Sequence, residues 1–166
     1  NLGVSGVARV GKSTLLQRLT GLDEDQIPTG SGIPVTPGRS RIFHSTVHRR
    51  AVVRLHTEQS FLHEVVGPFH DHLGLTARPA TIAEFRSWTY PEPSAAVDPK
   101  PGEVEHGRRL LDMQRSLDSY AGDLVGGERV VDDLSQLRPW VAYPTNAELN
   151  TGRSPARRYL AVKDVR

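Results

Sequence analysis

Apolar positions recur at helical spacing in five stretches of the chain. Leu15, Leu16, Leu19 and Leu22 form the first, with Gly21 near its end. Phe61, Leu62, Val65, Val66, Phe69 and Leu73 line one face of a second helix that ends near Gly74. Thr81-Ile82-Ala83-Glu84 has capping-box spacing and opens a short third helix through Phe85 and Trp88. Leu110, Leu111, Met113, Leu117, Tyr120, Leu124 and Val125 predict a long fourth, stopped by Gly126-Gly127, and Val130 to about Leu137 a shorter fifth.

Strand signals are fewer. Leu2 and Val4 are what remains of a first strand, and Arg41 to Val47 and Ala51 to Thr57 read as a hairpin around His48-Arg49-Arg50. Tyr159 to Val165 alternates like a strand, with Leu160, Val162 and Asp164 on one side. Residues 23–38, the proline-rich stretch 89–102 and residues 144–156 read as loops. There is no internal repeat. The order is strand, glycine-rich turn, helix, hairpin, helical block and strand, which predicts an α/β fold with a helical insertion. The expected division of this single domain is 1–57, an insertion over 58–156, and a returning strand over 157–166.

Composition narrows the partners. Of the 166 residues, 37% are hydrophobic and 24% charged, so a core can form while some segments stay solvated. The net charge is +2 and the signs interleave along the chain, with one dense basic cluster at Arg153, Arg157 and Arg158. That pattern argues against nucleic acid as a partner. Cysteine is absent, which excludes disulfides and thiolate metal sites. No apolar run approaches the ~18 residues of a membrane span, so a cytoplasmic protein is the default.

One segment carries chemistry. Gly6-Val7-Ala8-Arg9-Val10-Gly11-Lys12-Ser13 matches G-x-x-x-x-G-K-[ST] at every fixed position. The glycines let successive backbone N–H groups of this P-loop converge on phosphates. Lys12, one of three lysines beside Lys100 and Lys163, supplies a point charge to the β- and γ-phosphates. Ser13 offers its hydroxyl to Mg²⁺, and the helix starting there, Thr14 included, points its positive end at the anion. Average residue frequencies give such a match in a chain this long roughly 1% of the time, so it outweighs an incidental glycine turn.

The following loop separates P-loop classes. Ile27-Pro28-Thr29-Gly30-Ser31-Gly32-Ile33-Pro34-Val35-Thr36 resembles the switch I region of dynamin superfamily GTPases, and the segment beginning Arg39-Ser40-Arg41-Ile42 is similar to that family as well. The resemblance covers about the first 57 residues and is looser beyond them, where it points to the bacterial branch. It implies a P-loop GTPase sheet that binds and hydrolyses GTP with Mg²⁺ held by Ser13 and Thr36. Thr36 would close over the γ-phosphate, as switch loops do. Guanylate-binding proteins, relatives of dynamin, place an arginine at the position of Arg9 and use it as an arginine finger. Arg9 is therefore a candidate catalytic group beside Lys12 and Thr36, or else a residue facing solvent or a partner. Dynamins carry glutamine where this chain has Ala8, which leaves the orientation of the attacking water open. The family also implies self-association through the GTPase domain, and membrane association through regions outside this chain.

Two GTPase elements are not accounted for. Asp71-His72-Leu73-Gly74 and Asp123-Leu124-Val125-Gly126 fit D-x-x-G in letters, but each finishes a helical pattern instead of a strand. Val130-Val131-Asp132 imitates a Walker B ending but reads as too short, and the guanine-reading N/T-K-x-D motif is absent. The expectation is a domain cut before its D-x-x-G strand and inactive alone. Rival readings are an ATP-dependent P-loop protein and a nucleotide-gated scaffold with little hydrolysis. His63, His70 and His72 lie close in sequence but read as a solvated helix face and not a metal site.

Overall fold

The computed structural model describes residues 11–28, 39–91, 102–144 and 156–166. The chain forms two compact units, one of Asn1–Leu55 with Glu128–Arg166 and one of His56–Gly127. The general α/β character matches expectation, with helices accompanying a small sheet. The units divide at Gly127, where the sequence pattern put the end of the insertion near residue 156.

In the first unit, helix α1 (Lys12–Thr20) starts at Gly11 and stops at Gly21, whose left-handed conformation lets its N–H close on the Gln17 carbonyl at 2.8 Å. The Gln17 side chain then donates to the Ile27 carbonyl at 2.7 Å and holds the following loop, in which Ile27 is buried. The sheet contains β1 (Arg39–Ser40), β2 (Ala51–Leu55), β3 (Glu128–Val131) and β4 (Val162–Val165) in the order β1-β4-β2-β3. β2 pairs antiparallel with both β3 and β4, while β1 adds a short parallel pair on β4. Along β2, Ala51, Val53 and Leu55 alternate into a core with Val131, Val162 and Val165. Leu137, Trp140 and Val141, from the short helix α6 (Arg138–Val141) and its start, complete that core.

Three expectations for this unit are corrected. No hairpin joins 41–47 to 51–57, since residues 41–50 form no strand. Both edges of β2 are instead taken by β3 and β4, whose Val131, Val162 and Val165 share its core. Val130–Leu137 is not a helix. Its β-branched start extends β3, and Asp133 then accepts from the Ser135 N–H at 3.0 Å to cap a 3₁₀ turn over Leu134–Gln136. Finally, Arg158–Ala161 is a 3₁₀ turn, so β4 begins only at Val162. Val162 and Val165, three apart, are its buried residues, because the ladder with β2 shifts register between Arg54 and Leu55. Asp164 instead meets Arg54 at 3.5 Å.

The second unit is helical. Thr57 caps α2 (Glu58–Phe61) through a reciprocal box, its hydroxyl accepting from the Ser60 N–H at 3.1 Å and its own N–H donating to the Ser60 hydroxyl at 2.9 Å. The chain continues through a π-helical segment, Leu62–Val66, into α3 (Gly67–His72). The Thr81 hydroxyl caps α4 (Ile82–Ser87) by accepting from the Glu84 N–H at 3.1 Å, but the Glu84 carboxylate reaches the Ala80 N–H and not that of Thr81. At the other end of α4 the Gln114 amide donates to the carbonyls of Phe85 (2.8 Å) and Trp88 (2.6 Å). Helix α5 (Glu103–Arg115) stops well short of Val125. There the Ser116 hydroxyl donates to the Asp112 carbonyl and the Tyr120 hydroxyl to that of Met113, drawing the chain into 3₁₀ turns over Leu117–Ser119 and Ala121–Asp123. Phe61, Phe85, Leu110, Leu117 and Tyr120 form the centre, with Phe61 edge-on to Phe85 at 6.0 Å.

His63 and His72 are exposed as expected, but His70 is fully buried, which corrects the reading of one solvated histidine face. The π-helical turn supplies the reason. Each such turn holds an extra residue, so everything after it is rotated against the 3.6-residue period. His70 is thereby carried into the core, where Nδ1 lies 2.8 Å from the Ala77 carbonyl and Nε2 2.9 Å from the Tyr90 hydroxyl.

Candidate functional site

The candidate phosphate site sits at the start of α1, in the first unit. Gly11 adopts φ 81°, ψ 16°, a left-handed conformation that side chains resist. A Cβ placed there would meet no atom within 4 Å. The demand for glycine is thus a backbone demand. Lys12, Ser13 and Thr14 are the first three helical residues, and the Leu15 N–H is the first to donate back, to the Gly11 carbonyl at 2.9 Å. Gly11, the N-cap residue, has no side chain with which to cap the helix, and no carboxylate occupies the first turn. Most helices start with such a group. A helix start with neither an N-cap side chain nor a first-turn acid suits an anion.

Gly11, Lys12, Ser13 and Thr14 therefore come together in one turn. Gly6, Val7, Ala8, Arg9 and Val10, and the expected switch threonine Thr36, lie outside the described residues. The leucine stripe of α1 is not sealed: no residue of the helix is buried, and Leu15 and Leu19 are 49% and 59% exposed.

No family model, curated protein or solved structure matches the chain. The chemistry of this turn thus stands on its residues alone.

The D-x-x-G candidates behave as the periodicity indicates. Asp71 lies in α3, paired with Arg78, and Asp123 in a 3₁₀ turn, both in the second unit and neither on a strand. Val130-Val131-Asp132 differs from expectation, because it does close a strand, β3. That strand is at the sheet edge, antiparallel to β2, and Asp132 is exposed. Among the described residues no group of three His, Asp or Glu could hold a metal ion, and no helix is long and apolar enough to cross a membrane.

Proposed function

We propose that the chain is the nucleotide-binding part of a dynamin-like GTPase domain. The observation that supports the reading is the glycine-lysine-serine sequence at a helix start: Gly11 is left-handed, and Lys12 and Ser13 are the first two helical residues. In this reading the amides of residues 6–14 and the Lys12 ammonium bind the phosphates. Ser13 and Thr36 would hold Mg²⁺, which would supply charge neutralisation at the phosphates, and Arg9 would steady charge in the transition state.

Binding of a fluorescent GTP analogue by the full-length protein tests this, with ATP as competitor. Lys12→Ala should weaken binding at least roughly a hundredfold, as loss of a charge-assisted contact to phosphate does. Unchanged affinity would remove the site. Preference for ATP would retain the P-loop and reassign the class. A second reading, a nucleotide-gated scaffold that barely hydrolyses, is favoured by one fact: the aspartates of both D-x-x-G sequences, Asp71 and Asp123, lie in helical segments of the second unit and not at the end of a strand. GTP turnover at high protein concentration, compared with Arg9→Ala, separates binding from hydrolysis.

A further inference from the structure

Residues 41–50, Arg-Ile-Phe-His-Ser-Thr-Val-His-Arg-Arg, are all exposed and contain three arginines and no carboxylate. Within six positions the loop also presents Ile42, Phe43 and Val47 at 41%, 65% and 79% exposure. Isolated exposed apolar residues are ordinary, but three together on a cationic loop are not.

The loop is held at its base. Arg41 donates its N–H to the Val165 carbonyl at 2.8 Å, and Val52 exchanges backbone hydrogen bonds with the adjacent Arg166, at 2.6 and 3.0 Å. Both ends are thus tied to one end of β4, the arrangement of a compact Ω-loop. At the tip the Ser45 hydroxyl accepts from the N–H groups of Val47 (3.3 Å) and His48 (3.1 Å). Local bonds therefore fold a loop whose Ile42, Phe43 and Val47 lie outside the core cluster formed by the described residues of its unit.

Charge identifies the partner. The first unit carries 15 Lys and Arg against 8 Asp and Glu, a net +7, whereas the second has 6 against 11, a net −5. The interleaving seen along the sequence hides this segregation. A unit of net charge +7 is drawn to extended anions. Nucleic acid would use Phe43 for stacking but has no place for the aliphatic Ile42 and Val47. The boundary between lipid headgroups and acyl chains accommodates all three, with guanidinium groups at the phosphates.

We propose that loop 41–50 docks the first unit onto an anionic membrane surface. Ile42, Phe43 and Val47 enter the acyl boundary while Arg41, Arg49 and Arg50 meet lipid phosphates. This contact belongs to the chain itself, in contrast to the membrane-binding regions that the family resemblance puts elsewhere, and it does not rest on the nucleotide reading.

Co-sedimentation of the full chain with vesicles tests it, using pure phosphatidylcholine or three parts phosphatidylcholine to one of phosphatidylserine. Binding should appear with the anionic vesicles only and weaken roughly fivefold for each of Arg41, Arg49 and Arg50 changed to Gln. Changing Ile42, Phe43 and Val47 together to Ser should weaken it by more than roughly tenfold. All six residues are exposed, so emission from the buried Trp140 should report an unaltered fold. A Phe43→Trp variant gives a separate readout, an added emission that is blue-shifted on anionic vesicles and quenched by brominated acyl chains. Equal binding to neutral vesicles, undiminished binding by the triple serine variant, an emission spectrum of the Phe43→Trp variant that does not shift, or tighter binding to single-stranded RNA than to anionic vesicles would each overturn the proposal.

Discussion

Removing one oxygen atom, by Tyr90→Phe, tests how the second unit is held. Tyr90 is 8% exposed and its hydroxyl lies 2.9 Å from Nε2 of the fully buried His70. The other imidazole nitrogen faces the Ala77 carbonyl, which can only accept, so Nδ1 carries the proton and Nε2 accepts from Tyr90. Phenylalanine would keep the edge-on ring contact with His70 at 5.5 Å and the contact with Phe85 at 6.3 Å. It would leave Nε2 buried without its donor, a loss of about 1–3 kcal/mol at neutral pH. Burial also pushes the Tyr90 phenol far above its ordinary value. Its proton is therefore held more tightly in the folded state, and the stabilisation is complete below pH about 10. As pH rises past that value only the unfolded chain gives up the proton, so stability falls by about 1.4 kcal/mol per pH unit. The variant lacks this slope, while other titrating groups act equally on both proteins. The stability gap should shrink steadily above pH about 10 and close within roughly two units. Urea unfolding in a Trp140→Phe background would follow Trp88, whose ring lies 6.5 Å from that of Tyr90. A gap that stays constant from neutral pH through the alkaline range would refute the argument.

Other perturbations have equally definite outcomes. Gly126→Ala adds a Cβ only 2.7 Å from the Thr57 methyl at a position with φ 71°, and should cost the second unit about 2 kcal/mol or more in urea unfolding. Thr57→Ser, which removes that methyl and keeps the capping hydroxyl, should recover part of the loss; no recovery would show the strain lies in the backbone alone. Gln114→Leu removes the amide that satisfies the end of α4 and should lower stability by about 1–3 kcal/mol. A change in midpoint too small to resolve would mean that water replaces it.

Local signals in the sequence are legible where one chemical group decides the outcome. The glycines at 21, 74, 126 and 127 all take positive φ, and Thr81 caps its helix as the Thr-x-x-Glu spacing indicates. Strand pairing was less legible. Ala51–Leu55 was evident from its alternation, but its partners come from the far end of the chain, and no pattern near Arg41–Val47 reveals that both edges of β2 are already occupied. Val130-Val131 shows the usual ambiguity of a short apolar run, which fits a helix or a strand until pairing chooses. The burial of His70 depends on a π-helical turn that a 3.6-residue template cannot express. At the candidate site the helix start after Gly11 is legible because a left-handed glycine at a helix end is a local backbone device. The cationic loop at 41–50 was missed, since valine and isoleucine between arginines looked like strand periodicity.

The route by which the chain leaves and re-enters the first unit carries a lesson for engineering. β2 and β3 are already in register at Arg54 and Glu128, and just beyond them Thr57 bridges Val125 while the Gly126 N–H donates to the His56 carbonyl at 3.0 Å. Everything between those points is a detour hung from a closed gate. Insertions in its loops should leave the β2–β3 ladder in register, and a permuted chain with new ends in one of those loops should keep the Thr57–Val125 bridge and the Gly126–His56 bond.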